Sequence, residues 1–260
     1  MCGIIGVSAI PDAARLTYLG LYALQHRGQE SAGIASLDAQ GVPRIHRGMG
    51  LIAEHIDDDV LRNLPGDVAI GHTRYATAGS TVLANAQPCL VNFRGGPLTL
   101  AHNGNLTNAV ELKRELVEAG AIFSSSSDSE VIVHLIARSP ADSPEDQIRD
   151  ALAQVEGAYS LVMTVGRDLY AIVDPRGFRP LVLGQLGEGM IVASETCALD
   201  LVGAVKVREL QPGEFIRVRD GVVESLRTLR PKPHTRCVFE LVYFARPDST
   251  VFNRSVDAVR

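Results

Sequence analysis

A cysteine one residue from the amino terminus, set against an apolar run, is the feature that most limits how this chain can fold. Met1-Cys2-Gly3-Ile4-Ile5-Gly6, followed by Val7, predicts a short buried strand that fixes Cys2 at the edge of the core. With Met1 removed, Cys2 carries a thiol and a free α-amine on one carbon. An α-amine has an ordinary pKa of about 7.7–8.0, so it can move the thiol proton at neutral pH, and the two groups form a nucleophile with its own base. The other reading of the same residues is a small hydrophobe in an edge strand.

The 260 residues can bury one sizeable core or two smaller ones. Apolar residues make up 46% and charged residues 21%, the balance of a soluble globular protein. Apolar runs such as Tyr159 to Val165 are too short to span a bilayer. No basic segment or small-residue cleavage site precedes Cys2, so a secretory signal is not expected. The four cysteines, Cys2, Cys89, Cys197 and Cys237, show no paired spacing. That argues against a disulfide framework and for a reducing, cytoplasmic location. A net charge of −5 argues against a general nucleic-acid binder.

Taken in order, Asp12 is placed as the N-cap of a helix with Leu16, Leu19, Tyr22 and Ala23 on one face. Gln25 to Gly33 follows as a loop dense in polar residues and glycine, and Ile34 to Leu37 resumes strand character. Val68 to Gly71 predicts a buried strand that feeds His72, Thr73, Arg74 and, after Tyr75, Thr77. An arginine with hydroxyls and glycines just past a strand end suits capture of a carboxylate, because the guanidinium makes two parallel hydrogen bonds. Leu98 to Ala101 predicts a strand ending at His102-Asn103-Gly104-Asn105. There an amide side chain beside a glycine N–H gives two donors for an oxyanion, or else a tight turn. His102 is read as structural.

Thr107-Asn108 opens a helix closed by Gly120, and a second helix begins at Asp128 or Ser129 after four serines that could form a linker. Asp128 can cap that helix or hold an ammonium group. Pro144 to Val155 predicts a third helix, and strand-like runs continue to Val223. Pro231-Lys232-Pro233-His234 reads as a linker, so a first domain is expected to close near residue 230.

Together the segments MCGIIGV at the start, QHRGQESAG at 25–33, GHTRYATAG at 71–79, AHNGNL at 101–106 and SDSE at 127–130 resemble the class II glutamine amidotransferases. SETCALD at 194–200 and YFARPDS at 243–249 are similar to the amidophosphoribosyltransferases within that class. Gln29-Glu30 and these last two motifs argue against the glucosamine-6-phosphate synthase and asparagine synthetase types. The resemblance implies an α+β fold of the N-terminal-nucleophile hydrolase type, a four-layer αββα sandwich, with the glutaminase domain over residues 2–230. It implies that Cys2 forms a γ-glutamyl thioester, with its α-amine as base and Asn103 and Gly104 as the oxyanion hole. Arg74, with the Thr77 region, would hold the glutamine α-carboxylate, and Asp128 its amino group. Arg27 and Gly28 would lie beside the nucleophile.

Members of that family carry a further phosphoribosyltransferase domain that uses phosphoribosyl pyrophosphate and Mg²⁺, and they assemble as homo-oligomers. Residues 231–260 are expected to be a linker and the start of that domain, whose phosphoribosyl-pyrophosphate loop is not found in this sequence. Some members bind a [4Fe–4S] cluster through four cysteines. Cys237 stands where the first ligand would lie, the alternative being an ordinary core cysteine. A module that keeps the pocket without turnover is the remaining rival to a glutaminase.

Overall fold

A computed structural model describes residues 1–75, 80–226 and 229–260. The chain opens with strand β1 (Gly3–Ser8), helix α1 (Ala13–Ala23), β2 (Ser31–Leu37) and β3 (Pro43–Met49). Two short helices, α2 (Ile52–His55) and α3 (Asp58–Arg62), precede β4 (Val68–Arg74), β5 (Cys89–Phe93) and the long β6 (Gly96–Leu106). Three helices follow: α4 (Ala109–Glu118), α5 (Ser129–Arg138) and α6 (Pro144–Leu152). Then come β7 (Gly157–Val165), β8 (Asp168–Val173), β9 (Val182–Leu186), β10 (Gly189–Ala193) and α7 (Thr196–Val202). Strands β11 (Val205–Glu209), β12 (Phe215–Arg219) and β13 (Val222–Ser225) complete the sheets. A π-helical turn at Glu240–Phe244, the small hairpin β14 (Thr250–Val251) and β15 (Arg254–Ser255), and α8 (Val256–Val259) end the chain.

Among the described residues the main strands form two antiparallel sheets. One has the order β11-β9-β10-β1-β4-β2-β3 and the other β13-β12-β8-β7-β6-β5. Side chains on a strand alternate between faces, and the core divides accordingly. Ile4, Ala35 and Ile70 of the first sheet meet Ala101, Val162 and Ile216 of the second between the two sheets. Ile5, Val7, Ile34 and Ala69 face outward under α1 and α7. Leu98, Leu100, Leu161 and Ile172 face outward under α5 and α6. The result is the four-layer αββα sandwich expected from the sequence. Ile4 and Ile5 are wholly buried on opposite faces of β1, each worth roughly 1.5–3 kcal/mol of transfer free energy. The first strand therefore lies in the middle of its sheet, between β10 and β4.

Several local expectations are corrected. Asp12 holds the N-cap position of α1 but makes no cap bond; its carboxylate accepts instead from Arg15 Nε at 3.0 Å. The polar stretch at 25–33 is only partly a loop, because Gln25–Arg27 form a 3-10 turn and Ser31 to Gly33 already belong to β2. Arg74 is the last residue of β4 and Asn103-Gly104 lie inside β6, so neither motif sits in a turn. The four serines are no linker. Glu130, in the first turn of α5, accepts from the N–H and hydroxyl of both Ser124 and Ser125. Burial would raise the Glu130 carboxyl, but these four donors hold it below its ordinary range.

Candidate active site

Strand alternation decides which side chains share the end of the sandwich. Ile4, Ile70 and Ala101 point between the sheets, so Cys2 just before β1, Arg74 on β4 and Asn103 on β6 fall on the same inward register. Gly3 pairs with Thr73, and Ser31 with Arg74, which sets Cys2 and Arg74 at one end of the first sheet. The second sheet is tied to that end by His72 Nε2, which donates to the His102 carbonyl at 3.1 Å. Burial pushes the His72 pKa down to about 3, so the imidazole stays neutral and keeps one donating nitrogen.

Every polar handle of Cys2 is engaged. Its main-chain N–H donates to Asn103 Oδ1 at 3.1 Å, its carbonyl accepts from Arg27 Nε at 2.9 Å, and its thiol points at the Tyr75 carbonyl 3.7 Å away. While Met1 is attached, this nitrogen is a peptide N–H; it marks where a free α-amine would stand. Burial pushes the thiol up, opposed by the chain's amino group, the Tyr75 contact, Arg74 and Arg27. The Met1 amine is itself held below its usual value, chiefly by burial.

Asn103 is fully buried, and its Nδ2 has no hydrogen-bond partner among the described residues. A buried unpaired donor costs about 1–3 kcal/mol, so this amide, on the side chain that accepts from the Cys2 N–H, can receive an acceptor. At the next residue, a Cβ would fall 2.0 Å from the Ala158 carbonyl oxygen and 2.6 Å from His102 Nε2. Only glycine fits there.

Around this pair stand three charged groups. Arg74, almost wholly buried, donates to Glu30 Oε2 at 3.1 Å, and Glu30 also accepts from Thr81 Oγ1 at 3.3 Å. Its guanidinium is thus already used to holding a carboxylate. Gly28 packs against the Arg74 backbone, where a Cβ would meet main-chain atoms at 2.4–2.8 Å. Arg27 has a fully buried guanidinium bound by Glu195 and Glu240 as well as by the Cys2 carbonyl. Asp128 makes no cap bond on α5. Its Oδ2 accepts from Leu106 N–H at 2.9 Å, and its Oδ1 lies 3.8 Å from His102 Nδ1. His102 itself is structural, held by Ser129 Oγ at 3.0 Å and by Gln87 Oε1 on its N–H at 2.8 Å. Thr77 lies outside the described residues.

The structure thus gathers Cys2, Arg27, Gly28, Arg74, Asn103 and Gly104, with Asp128, at the start of α5, bonded to Leu106 on the end of β6. Sequence reasoning missed His72, Glu195 and Glu240. Glu195 accepts from Arg27, His26, the Arg246 N–H and Ser249. Burial alone would raise its carboxyl, but Arg27 and His26 hold it well below the ordinary range. Cys237 is half-buried and precedes the π turn, its carbonyl accepting from Glu240 N–H at 3.1 Å. Among the described residues no three His, Cys, Asp or Glu side chains converge to hold a metal ion, so Cys237 has no companion ligands there. No described helix is long and apolar enough to cross a membrane.

Comparison with known proteins places this geometry. The chain is 48% identical over 258 residues to amidophosphoribosyltransferase 2, chloroplastic, of Arabidopsis thaliana, covering 98% of this chain and 46% of that protein. It is 43% identical over 260 residues to the amidophosphoribosyltransferase of Bacillus subtilis, covering 100% and 54%. The solved glutamine phosphoribosylpyrophosphate amidotransferase of B. subtilis, complexed with ADP and GMP, superposes with a TM-score of 0.93 at 42% identity, over 98% of this chain and 55% of that one. The chain spans about half the length of the curated relatives it matches. A family model described as the glutamine amidotransferase domain matches residues 72–201, half of the chain, which carry Arg74, Asn103, Gly104, Asp128 and Glu195, and the chain belongs to that family.

Proposed function

We propose that this chain is the glutamine-hydrolysing half of an amidophosphoribosyltransferase, working in the cytoplasm on free glutamine. The observation that carries the reading is the buried contact of the Cys2 N–H with Asn103 Oδ1, made by a side chain whose Nδ2 has no partner among the described residues. After Met1 is removed, the Cys2 α-amine takes the thiol proton and the sulfur bonds to the side-chain carbonyl carbon of glutamine. Negative charge gathers on the carbonyl oxygen, where Asn103 Nδ2 and the Gly104 N–H receive it. The C–N bond then breaks, ammonia leaves with the proton held by the amine, and a γ-glutamyl thioester remains. Water adds to the thioester, the sulfur regains a proton through the same amine, and glutamate departs.

Arg74, helped by Thr77, exchanges Glu30 for the substrate α-carboxylate, and Asp128 takes the α-ammonium. Arg27 and Gly28 position the nucleophile. The relatives' names support an onward use of the ammonia: attack on phosphoribosyl pyrophosphate to give phosphoribosylamine, in de novo purine synthesis. That step, its Mg²⁺ and the assembly of homo-oligomers belong to a phosphoribosyltransferase domain of which residues 231–260 are the linker and the start.

The test is a glutamine-analogue electrophile followed by intact-mass and peptide analysis. A single adduct on Cys2 in protein lacking Met1 is expected. Burial lifts the Cys89 and Cys197 thiols to about 11 and about 12, so neither competes as a thiolate at neutral pH. Label on another cysteine, or an active protein that retains Met1, overturns the mechanism. Cys2→Ala is expected to abolish ammonia release while melting like the parent.

A further inference from the structure

The carbonyl of Cys2 is held by an arginine whose own position is set from the far end of the chain. Arg27 donates from Nε to Cys2 and from Nη2 to both oxygens of Glu240, at 2.9 and 3.1 Å. Glu240 opens the π-helical turn, whose wide ring is closed by Ala245 N–H donating to the Glu240 carbonyl at 3.0 Å. Such turns recur where a side chain must be aimed at a site. Arg179 Nη1 reaches the same carboxylate at 3.3 Å. Glu195 holds the other side of Arg27 and also binds the Arg246 N–H at 2.9 Å and Ser249 Oγ at 2.7 Å. Two arginines and two glutamates thus form a balanced cluster, with the side chains of Arg27, Glu195 and Glu240 wholly out of water.

An arginine that only anchored the tail would need no bond to the residue bearing the nucleophile. One that only oriented Cys2 could take its counter-charge from Glu195. Arg27 does both, so the segment from 237 to 249 and the thiol share one rigid link. We propose that Glu240 is a positioning residue for Cys2, acting through Arg27, so that docking of the π turn sets how well the nucleophile is aligned. The proposal rests on the glutaminase reading above.

The experiment uses the whole chain with Met1 removed and compares Glu240→Gln, Glu240→Asp and Leu152→Ala. Leu152 lies in the helical layer over the other sheet and controls for lost stability alone. Each variant is measured for kcat and KM of glutamine hydrolysis, melting temperature, and the alkylation rate of Cys2 across pH, read by peptide mass. Glu240→Gln is expected to lower kcat and Cys2 alkylation on the order of ten- to a hundred-fold with KM little changed, the size of effect a small misplacement produces. Glu240→Asp should recover part of the loss, and Leu152→Ala should leave kcat per folded molecule as it was. Equal kcat in Glu240→Gln and the parent, or an equal fall in Leu152→Ala, overturns the proposal. Cys2→Ala run alongside separates the two ideas: persistent hydrolysis in that variant defeats the glutaminase reading, whereas the Cys2 alkylation rates still report on Glu240.

Discussion

At the scale of single residues, the proposed mechanism asks one side chain to do two jobs. Asn103 spends its oxygen on the Cys2 nitrogen and keeps its amide N–H₂ unpaired and buried. In the proposed mechanism the oxygen fixes where the base stands and the nitrogen takes the charge that develops on the carbonyl oxygen. Asn103→Ala removes both and is expected to lower kcat by about 10²–10³, the loss seen when one oxyanion donor goes. KM should move little, because the contact strengthens only as the carbonyl oxygen becomes charged. A large rise in KM at constant kcat, read from steady-state ammonia release, would place Asn103 in ground-state binding instead.

At the scale of elements, the most informative piece is the turn leading into α5. Glu130 draws the backbone and hydroxyls of Ser124 and Ser125 onto its carboxylate, and Ser126 binds Asn85 through its N–H and hydroxyl. This clasp fixes the approach to Asp128. Glu130→Gln should destabilise the fold by about 1–3 kcal/mol, measured by chemical denaturation, and should speed protease cleavage within 124–127. Unchanged stability would mean that the serines are held by other contacts. A serine run has the composition of a linker, and its organising partner here is a single acidic residue downstream, which composition does not reveal. The apolar periods of β1, β7, β8, α5 and α6 were legible because buried faces repeat every two or every three to four residues. The sequence alone puts Arg74 just past a strand end, and Asn103-Gly104 at a strand end or in a tight turn, because polar residues and glycine interrupt those periods. Their inward parity with Ile70 and Ala101 was present in the sequence and marks them as site residues on a strand. Glu195 lies in the SETCALD stretch, but nothing local there or at Glu240 points to Arg27. They are far apart in the chain, and only the folded position of Arg27 joins them.

At the scale of the whole molecule, acid acts on the centre of the sandwich. His72 takes up a proton near pH 3 in the folded chain but near pH 6.5 when unfolded. The unfolded state therefore binds more protons below about pH 6.5, and stability falls as the pH drops. Glu195, whose carboxyl is held below its ordinary range, acts in the same direction. By about pH 4 the loss from His72 alone is on the order of 3 kcal/mol, to be read as a shift in the denaturant midpoint. His72→Gln keeps a donor for the His102 carbonyl and should flatten the decline between about pH 6.5 and 5, before most carboxylates titrate. A decline as steep in that variant would assign the acid sensitivity elsewhere. The placement of β1 between β10 and β4 also has a practical side. Met1 is only 6% exposed, so an affinity tag or fusion partner joined ahead of it would have to thread out of the core. Handles for purification or immobilisation belong at a surface turn such as the exposed end of α4 around Glu118 to Gly120, where added residues leave the buried terminus in place.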